Sequence, residues 1–403
     1  MAEWRGITRL PMSTTPLRVA VVGGGIGGAA ATVALLQRGI DVHLYEQAPA
    51  LAEVGAGVAI QPNGARMLRR LALGDGITRF GARWIDPQYR RPDGTFAASM
   101  WPPELAGDIE FYGFHRADLL GMFVDRLPAQ IVHTGHKCVA FEQNEDGAVI
   151  SFANGARVTA DVVVGADGIH STLQRFVVAP SPPLFSGSVA SRGLIDARSV
   201  SWPKGAMRNW LGAGQHFLVF PVRGSELLNY VGFLTTDERT RESWSAPGDR
   251  RDLANAFAGW DPLVGAIIAQ IKMTFRWGLY DREPLARWTH GRLTLLGDAA
   301  HPMLPHAGQG ANQAIEDGVA LAAVLARADR ASAPRALQIY EKLRREHTAG
   351  VQSKSRSNGA KYDAASGDLT VRDKALAAQY RERAWIWNYD AEAEASAAAA
   401  AAL

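Results

Sequence analysis

Short apolar runs that stop at glycine recur along this chain. Val19 to Val22 is wholly apolar and ends at Gly23-Gly24-Gly25-Ile26-Gly27-Gly28, after which Ala29 to Arg38 continues in small and aliphatic residues. The run predicts a strand buried on both faces, and the following stretch predicts a helix. Beyond Gly39 a second strand is expected over Asp41-Val42-His43-Leu44-Tyr45. Val162-Val163-Val164 leads into Gly165-Ala166-Asp167-Gly168-Ile169-His170-Ser171, and Leu293-Thr294-Leu295-Leu296 leads into Gly297-Asp298, with helix composition over Ala311 to Leu325. Between these motifs the pattern changes. Gln215 to Pro221 and Leu227 to Phe233 flank Arg223-Gly224-Ser225-Glu226 and read as an antiparallel hairpin with His216, Leu218 and Phe220 on one face. Ala391 to Leu403 is nearly all alanine with Glu392 and Glu394, a helix-compatible tail expected to fray because no face of it asks to be buried.

Composition narrows the class. With 403 residues, 47% hydrophobic and 21% charged, the chain can bury a large core and is expected to form two closely connected domains. The 43 basic and 40 acidic residues leave +3, and despite a pI near 9.0 there is no basic stripe to suggest nucleic acid or a membrane surface. The expected partner is a small molecule. A single cysteine, Cys138, excludes an intramolecular disulfide and fits a reducing compartment. Met1 to Pro16 lacks the apolar centre of a signal peptide, and no run approaches the roughly 20 apolar residues of a membrane span, so a cytoplasmic protein is expected.

The glycines carry the first chemistry. In a strand–turn–helix context, Gly23 permits the tight turn, Gly25 lets a pyrophosphate approach the backbone, and Gly28 lets helix and strand pack closely. Glu46, at the end of the second strand, is placed to accept hydrogen bonds from ribose hydroxyls and disfavours a 2′-phosphate. An NAD-linked dehydrogenase would explain this turn alone. It would not explain Asp298, which can accept from a ribityl hydroxyl, or a helix start at Gly310-Ala311-Asn312, whose free N–H groups could stabilise negative charge on a reduced flavin. Together the two turns point to FAD.

Gly23-x-Gly25-x-x-Gly28, Ala166-Asp167-Gly168 and Gly297-Asp298-Ala299-Ala300-His301-Pro302, in this order, resemble the group A single-component flavoprotein aromatic hydroxylases, from about Leu17 to about Asp390. Within that group the chain looks most like the salicylate hydroxylase, 3-hydroxybenzoate 6-hydroxylase and 6-hydroxynicotinate 3-monooxygenase branch. His115-Arg116-Ala117-Asp118-Leu119, Gly55-Ala56-Gly57 with Gln61-Pro62-Asn63, and Tyr280-Asp281-Arg282-Glu283-Pro284 support it.

The resemblance implies an α/β fold: a Rossmann-like FAD-binding domain of glutathione-reductase type, interleaved with an antiparallel-sheet substrate domain and a C-terminal helical region. The expected boundaries are 17–180 for the first part of the FAD domain, 181–284 for the substrate sheet, 285–350 for the second part, and 351–403 for the C-terminal helices and tail. The expected cofactor-binding residues are Gly23, Gly25, Gly28, Glu46, Gln47, Arg116, Cys138 (through its main chain, near the adenine), Asp167, Gly168, Asp298, Gly310, Ala311 and Asn312. NADH or NADPH is a transient co-substrate, and no second glycine-rich fingerprint is present for it. No metal site is expected, and the protein is expected to be a monomer or homodimer.

For the chemistry, His216 matches the histidine that acts as base toward a substrate phenol in the 3-hydroxybenzoate 6-hydroxylases. Deprotonation enriches the ring carbons that an electrophilic flavin C4a-hydroperoxide attacks. The alternative for His216 is an edge-strand histidine in water. Pro305 would wall the reactive face of the flavin, and His306 would touch substrate or orient a water. Ala59, Leu218 and Phe220 are the expected pocket residues. Phe220 stands where relatives carry a tyrosine and Ala59 where the 6-hydroxynicotinate enzymes carry a histidine, so the pocket is more apolar here. Arg192 and Arg223 are candidate partners for a substrate carboxylate, or else solvated strand residues. The expected activity is hydroxylation of a small phenolic or hydroxy-heteroaromatic, carboxylated substrate with NAD(P)H and O2. An NAD(P)H oxidase or redox-sensing flavoprotein is the alternative. A flavin-dependent halogenase, suggested superficially by Trp385-Ile386-Trp387, is set aside because the motif lies near the C-terminus and continues Asn388-Tyr389.

Overall fold

The valine run at Arg18–Val22 forms the centre of a six-stranded sheet in the computed structural model, which describes residues 16–51, 56–105, 107–179, 181–237, 247–364 and 369–403; Met1 to Thr15 and Gly55 lie outside the described residues. That strand pairs in parallel with Asp41–Tyr45 on one side and Val162–Gly165 on the other, and Val162–Gly165 pairs in parallel with Leu293–Leu295. Val132–His133 and Thr289–His290 close the two edges. All four predicted strands, and the three glycine turns beginning at Gly23, Gly165 and Gly297, are therefore brought to one sheet, at the end where an open α/β sheet binds its ligands. The helix Ile26–Gln37 packs against the helix Gly310–Leu325 through small residues, with Ala29, Ala30, Ala31, Ala320 and Ala322 fully buried. An antiparallel meander, Cys138–Asn144, Gly147–Phe152 and Arg157–Ala160, sits beside this sheet.

The second sheet has seven strands in the spatial order Phe275–Asp281, Leu184–Asp196, Leu227–Thr235, Gln215–Val222, Ala206–Gly212, Asp86–Arg90 and Phe96–Ser99. The predicted hairpin is its centre. Its turn is tight, with Arg223, Gly224 and Ser225 all at positive φ. The sheet is mixed and not purely antiparallel, since Ala206–Gly212 and Asp86–Arg90 run parallel, and its last two strands come from the segment expected to belong to the first domain. Gln215–Val222 is an interior strand, which removes the reading of His216 as an edge residue in water.

Two expectations for the C-terminal part are corrected. The helix Ala333–Tyr362 runs unbroken across residue 350, where a boundary was expected. The alanine-rich tail does not fray. It forms the helix Ala391–Ala402, and Ala391, Ala395 and Ala399 are fully buried against the Gly310–Leu325 helix. Alanines recurring every fourth residue line one face and let two helix backbones approach closely. Asp390 caps the helix by accepting from Ala393 N at 3.0 Å, and Arg70 pairs with Asp390 and Arg38 with Glu392. No helix among the described residues is long and apolar enough to cross a membrane.

Candidate active site

One cavity of about 740 Å³ runs from the first glycine turn to the face of the second sheet. At its nucleotide end, Gly23 adopts φ 109°, and an added Cβ there would lie 2.2 Å from Ala166 O. An added Cβ at Gly28 would lie 1.9 Å from Gly23 O. Gly23 thus holds a turn conformation and Gly28 a close approach that a side chain would obstruct, and Gly28 does not itself line the cavity. Gly25 does, and a Cβ added there meets no protein atom within 4 Å. Glu46 accepts from Gly24 N at 2.6 Å and Ala48 N at 2.7 Å, which fixes its carboxylate at the cavity wall. Gln47, Arg116 and Cys138 line the same end, Arg116 as the first residue of the helix Arg116–Val124. Cys138 is buried, and burial with the nearby Asp167 pushes its thiol up to about 11, so it behaves as a small hydrophobe.

Asp167 Oδ2 accepts from Thr172 N at 2.7 Å and Leu173 N at 3.3 Å, while Oδ1 is buried without a hydrogen-bond partner. Burial raises its pKa. An acceptor left in this condition at a cavity wall suits a ligand hydroxyl or amide. Asp298, Gly168, Gly310 and Ala311 line the cavity as expected. Asn312 does not. Its side chain is buried and braces the loops, accepting from Gln61 N at 2.9 Å and donating to Ala59 O at 3.0 Å and Gly308 O at 2.9 Å. Its side chain therefore braces the loops, while the role expected of the helix start rests on backbone N–H groups. The open space at Gly25, the unpaired Asp167 oxygen and the helix start at Gly310 fit the phosphate, hydroxyl and ring portions of FAD.

Sequence reasoning missed what holds the second turn. Asp317 is fully buried, accepting from Gly297 N at 3.0 Å and pairing with His301 Nε2 at 2.6 Å and Arg344 Nε at 2.8 Å. Burial alone would raise its pKa, but His301 and Arg344 hold it down to about 2. Its neighbour Glu316 lies 2.9 Å from Arg344 Nη1, and burial lifts it to about 7. The only sequence signal was an adjacent acidic pair inside an otherwise apolar helix.

At the far end of the cavity, His216, Leu218 and Phe220 project from one strand face as predicted. His216 is buried, stacks on Phe233 with ring centres 4.1 Å apart, and shares Nδ1 with Asp363 Oδ1 at 2.7 Å. Asp363 C-caps the long helix Ala333–Tyr362 and was not identified from sequence. His306 lies 5.4 Å from His216 by ring centres. Burial, with His216 beside it, pushes His306 down to about 3, so it stays neutral. Pro305 opens the short turn carrying it, and both line the cavity. Phe220 packs on Trp84, and Phe111, Met100 and Ala59 complete an apolar wall. The two candidate arginines part company. Arg192 is buried in the cavity wall with its guanidinium 4.4 Å above the Trp277 ring. Arg223 is outside the cavity, paired with Asp118 at 2.7 Å, and is withdrawn as a substrate ligand. Tyr89, Tyr362 and Arg383, none of them foreseen, also reach the cavity.

The fold and the cavity define a flavin-nucleotide enzyme with a buried pocket for a small aromatic ring. The chain belongs to the FAD binding domain family, which it matches over residues 16–355, and it is a flavin-dependent aromatic monooxygenase. It is 39% identical over 389 residues to a 3-amino-4-hydroxybenzoate 2-monooxygenase of Streptomyces platensis, covering 93% of this chain and 96% of that protein. It is 34% identical to a salicylate hydroxylase of Pseudomonas putida over 86% of each chain. Among solved structures, a salicylate hydroxylase substrate complex superposes with a TM-score of 0.83 at 30% identity, covering 96% of this chain and 98% of that one.

Proposed function

We propose that this enzyme hydroxylates the ring of a small phenolic carboxylic acid, using NADH or NADPH and O2, with His216 as the base. The observation that carries the reading is the His216–Asp363 pair, buried in a cavity continuous with the nucleotide turns. Nδ1 donates to the Asp363 carboxylate, which orients the imidazole. That leaves Nε2, with no protein partner among the described residues, to take the proton from a substrate phenol. The resulting phenolate is the electron-rich form that ring oxygenation requires. Bound FAD supplies the redox chemistry, accepting hydride and activating O2. Phe220, Trp84 and Phe111 exclude water from the ring, and Pro305 with neutral His306 forms the wall between the second nucleotide turn and the pocket. The relatives' substrates, a hydroxybenzoate with an amino group and salicylate, support a carboxylated phenol as the substrate class.

The test is the visible spectrum of the purified protein, followed by NADH and NADPH oxidation with 3-amino-4-hydroxybenzoate, salicylate and 6-hydroxynicotinate. Hydroxylated product in proportion to the reductant consumed is expected with at least one of them. Oxidation that yields hydrogen peroxide alone with every acid would favour an oxidase or redox-sensing flavoprotein.

A further inference from the structure

The helix Leu369–Trp387 turns Leu376, Gln379, Arg383, Ile386 and Trp387 inward at helical spacing, and each is at least 96% buried. An arginine on such a face loses its hydration and needs compensation. Arg383 receives only part of it. Its Nη2 donates to Tyr362 Oη at 2.8 Å and to Gln379 Oε1 at 2.9 Å, both neutral acceptors, and its Nε is buried without a hydrogen bond. Among the described residues no carboxylate pairs with it. Two other buried arginines are matched by carboxylates, Arg344 by Glu316 and Asp317 and Arg208 by Asp86, while Arg292 and Arg282 donate to backbone carbonyls away from the base. Arg383 lines the active-site cavity, and its partner Tyr362 lies edge-on to His216 with ring centres 5.4 Å apart.

We propose that Arg383 is the cation that receives the carboxylate of the aromatic substrate, presented by the C-terminal helix opposite the base, with Tyr362 and Gln379 fixing its guanidinium. This rests on the carboxylated-phenol reading above. A planar guanidinium with free N–H groups matches a carboxylate in shape and charge. With the carboxylate on Arg383 and the phenol on His216, the two walls of the cavity set which ring edge is presented.

The experiment is direct binding to the FAD-loaded enzyme, followed by flavin absorbance, using 3-amino-4-hydroxybenzoate and the corresponding 3-amino-4-hydroxybenzamide. The intact enzyme is expected to bind the acid about 30-fold or more tightly than the amide. In R383Q that ratio should collapse toward one through loss of acid affinity with the amide little changed, and R383K should keep part of it. Equal weakening of acid and amide in R383Q would mean a structural role and overturn the proposal. So would an unchanged ratio in R383Q, or a ratio lost in R192Q but kept in R383Q. Where R383Q does not load FAD, the acid-to-amide ratio of the intact enzyme together with R383K decides, and a ratio near one in the intact enzyme overturns the proposal. Binding of neither probe by the intact enzyme would overturn the substrate class itself, and this assignment with it.

Discussion

His216 is legible from its place in a strand pattern, but its working partner is not. Asp363 lies 147 positions away and reaches it only because the long helix Ala333–Tyr362 ends beside the hairpin. Replacing His216 with alanine should leave FAD bound and lower coupled hydroxylation by about 100-fold or more, with NADH consumption diverted to peroxide. Unreduced product formation in that variant would remove the base assignment. Asp363→Asn tests the positioning role separately. Its amide can donate to Nδ1 and stabilise the wrong tautomer, so kcat should fall by about tenfold or more while KM stays within about twofold. A rise in KM at constant kcat would point to substrate contact instead. Arg383 and Gln379 did leave a trace in the sequence, as two polar residues at helical spacing on an otherwise apolar face. That trace is read only once the helix is known to lie over the cavity. At Asn312 the helix start shows where backbone N–H groups point and says nothing of what the side chain must brace.

At the scale of elements, strands and glycine turns were readable because each carries a local signal: an apolar run, a required turn, a helix start. The terminal helix was not. Alanine is neutral to hydropathy patterning, so a stripe of Ala391, Ala395 and Ala399 looks the same as the solvent face beside it. Ala395→Leu should overpack the contact with the Gly310–Leu325 helix and lower stability by about 1–3 kcal/mol in urea unfolding. Ala397→Leu, on the exposed face, should stay within about 0.5 kcal/mol of the parent. Equal effects at the two positions would contradict the packed stripe.

For the whole molecule, buried histidines set the response to acid. Burial pushes His306 and His347 down to about 3, and His347 stacks on Tyr389 with ring centres 3.9 Å apart. Unfolded, both would take up protons near the ordinary value of about 6.5. Between these values the unfolded chain binds more protons than the native one, so stability falls as pH falls through that window and is unaffected above it. Going from about pH 7.5 to about pH 5.5 should cost on the order of 1 kcal/mol per histidine, and His347→Gln should remove its share. A pH-independent urea midpoint in this interval would contradict the burial of both rings as neutral groups. Fold class was legible at this scale because three strand–turn motifs in a fixed order specify one sheet. The mixed second sheet was less so, since its parallel strand pair joins residues that only the folded chain brings together.

The six-stranded sheet also dictates a schedule during synthesis. Arg18–Val22 and Val162–Gly165 leave the ribosome well before Leu293–Leu295, and the whole strand series from Leu184 to Asp281 is made in between. Until that third strand arrives, the edge at Val163 and Val164 has no neighbour, and the second nucleotide turn does not yet exist. Pairings this distant along the chain form slowly. The emerging protein must therefore carry an open, apolar sheet edge while the whole second-sheet series is made, and it can complete its flavin site only after Leu293–Leu295 has been added.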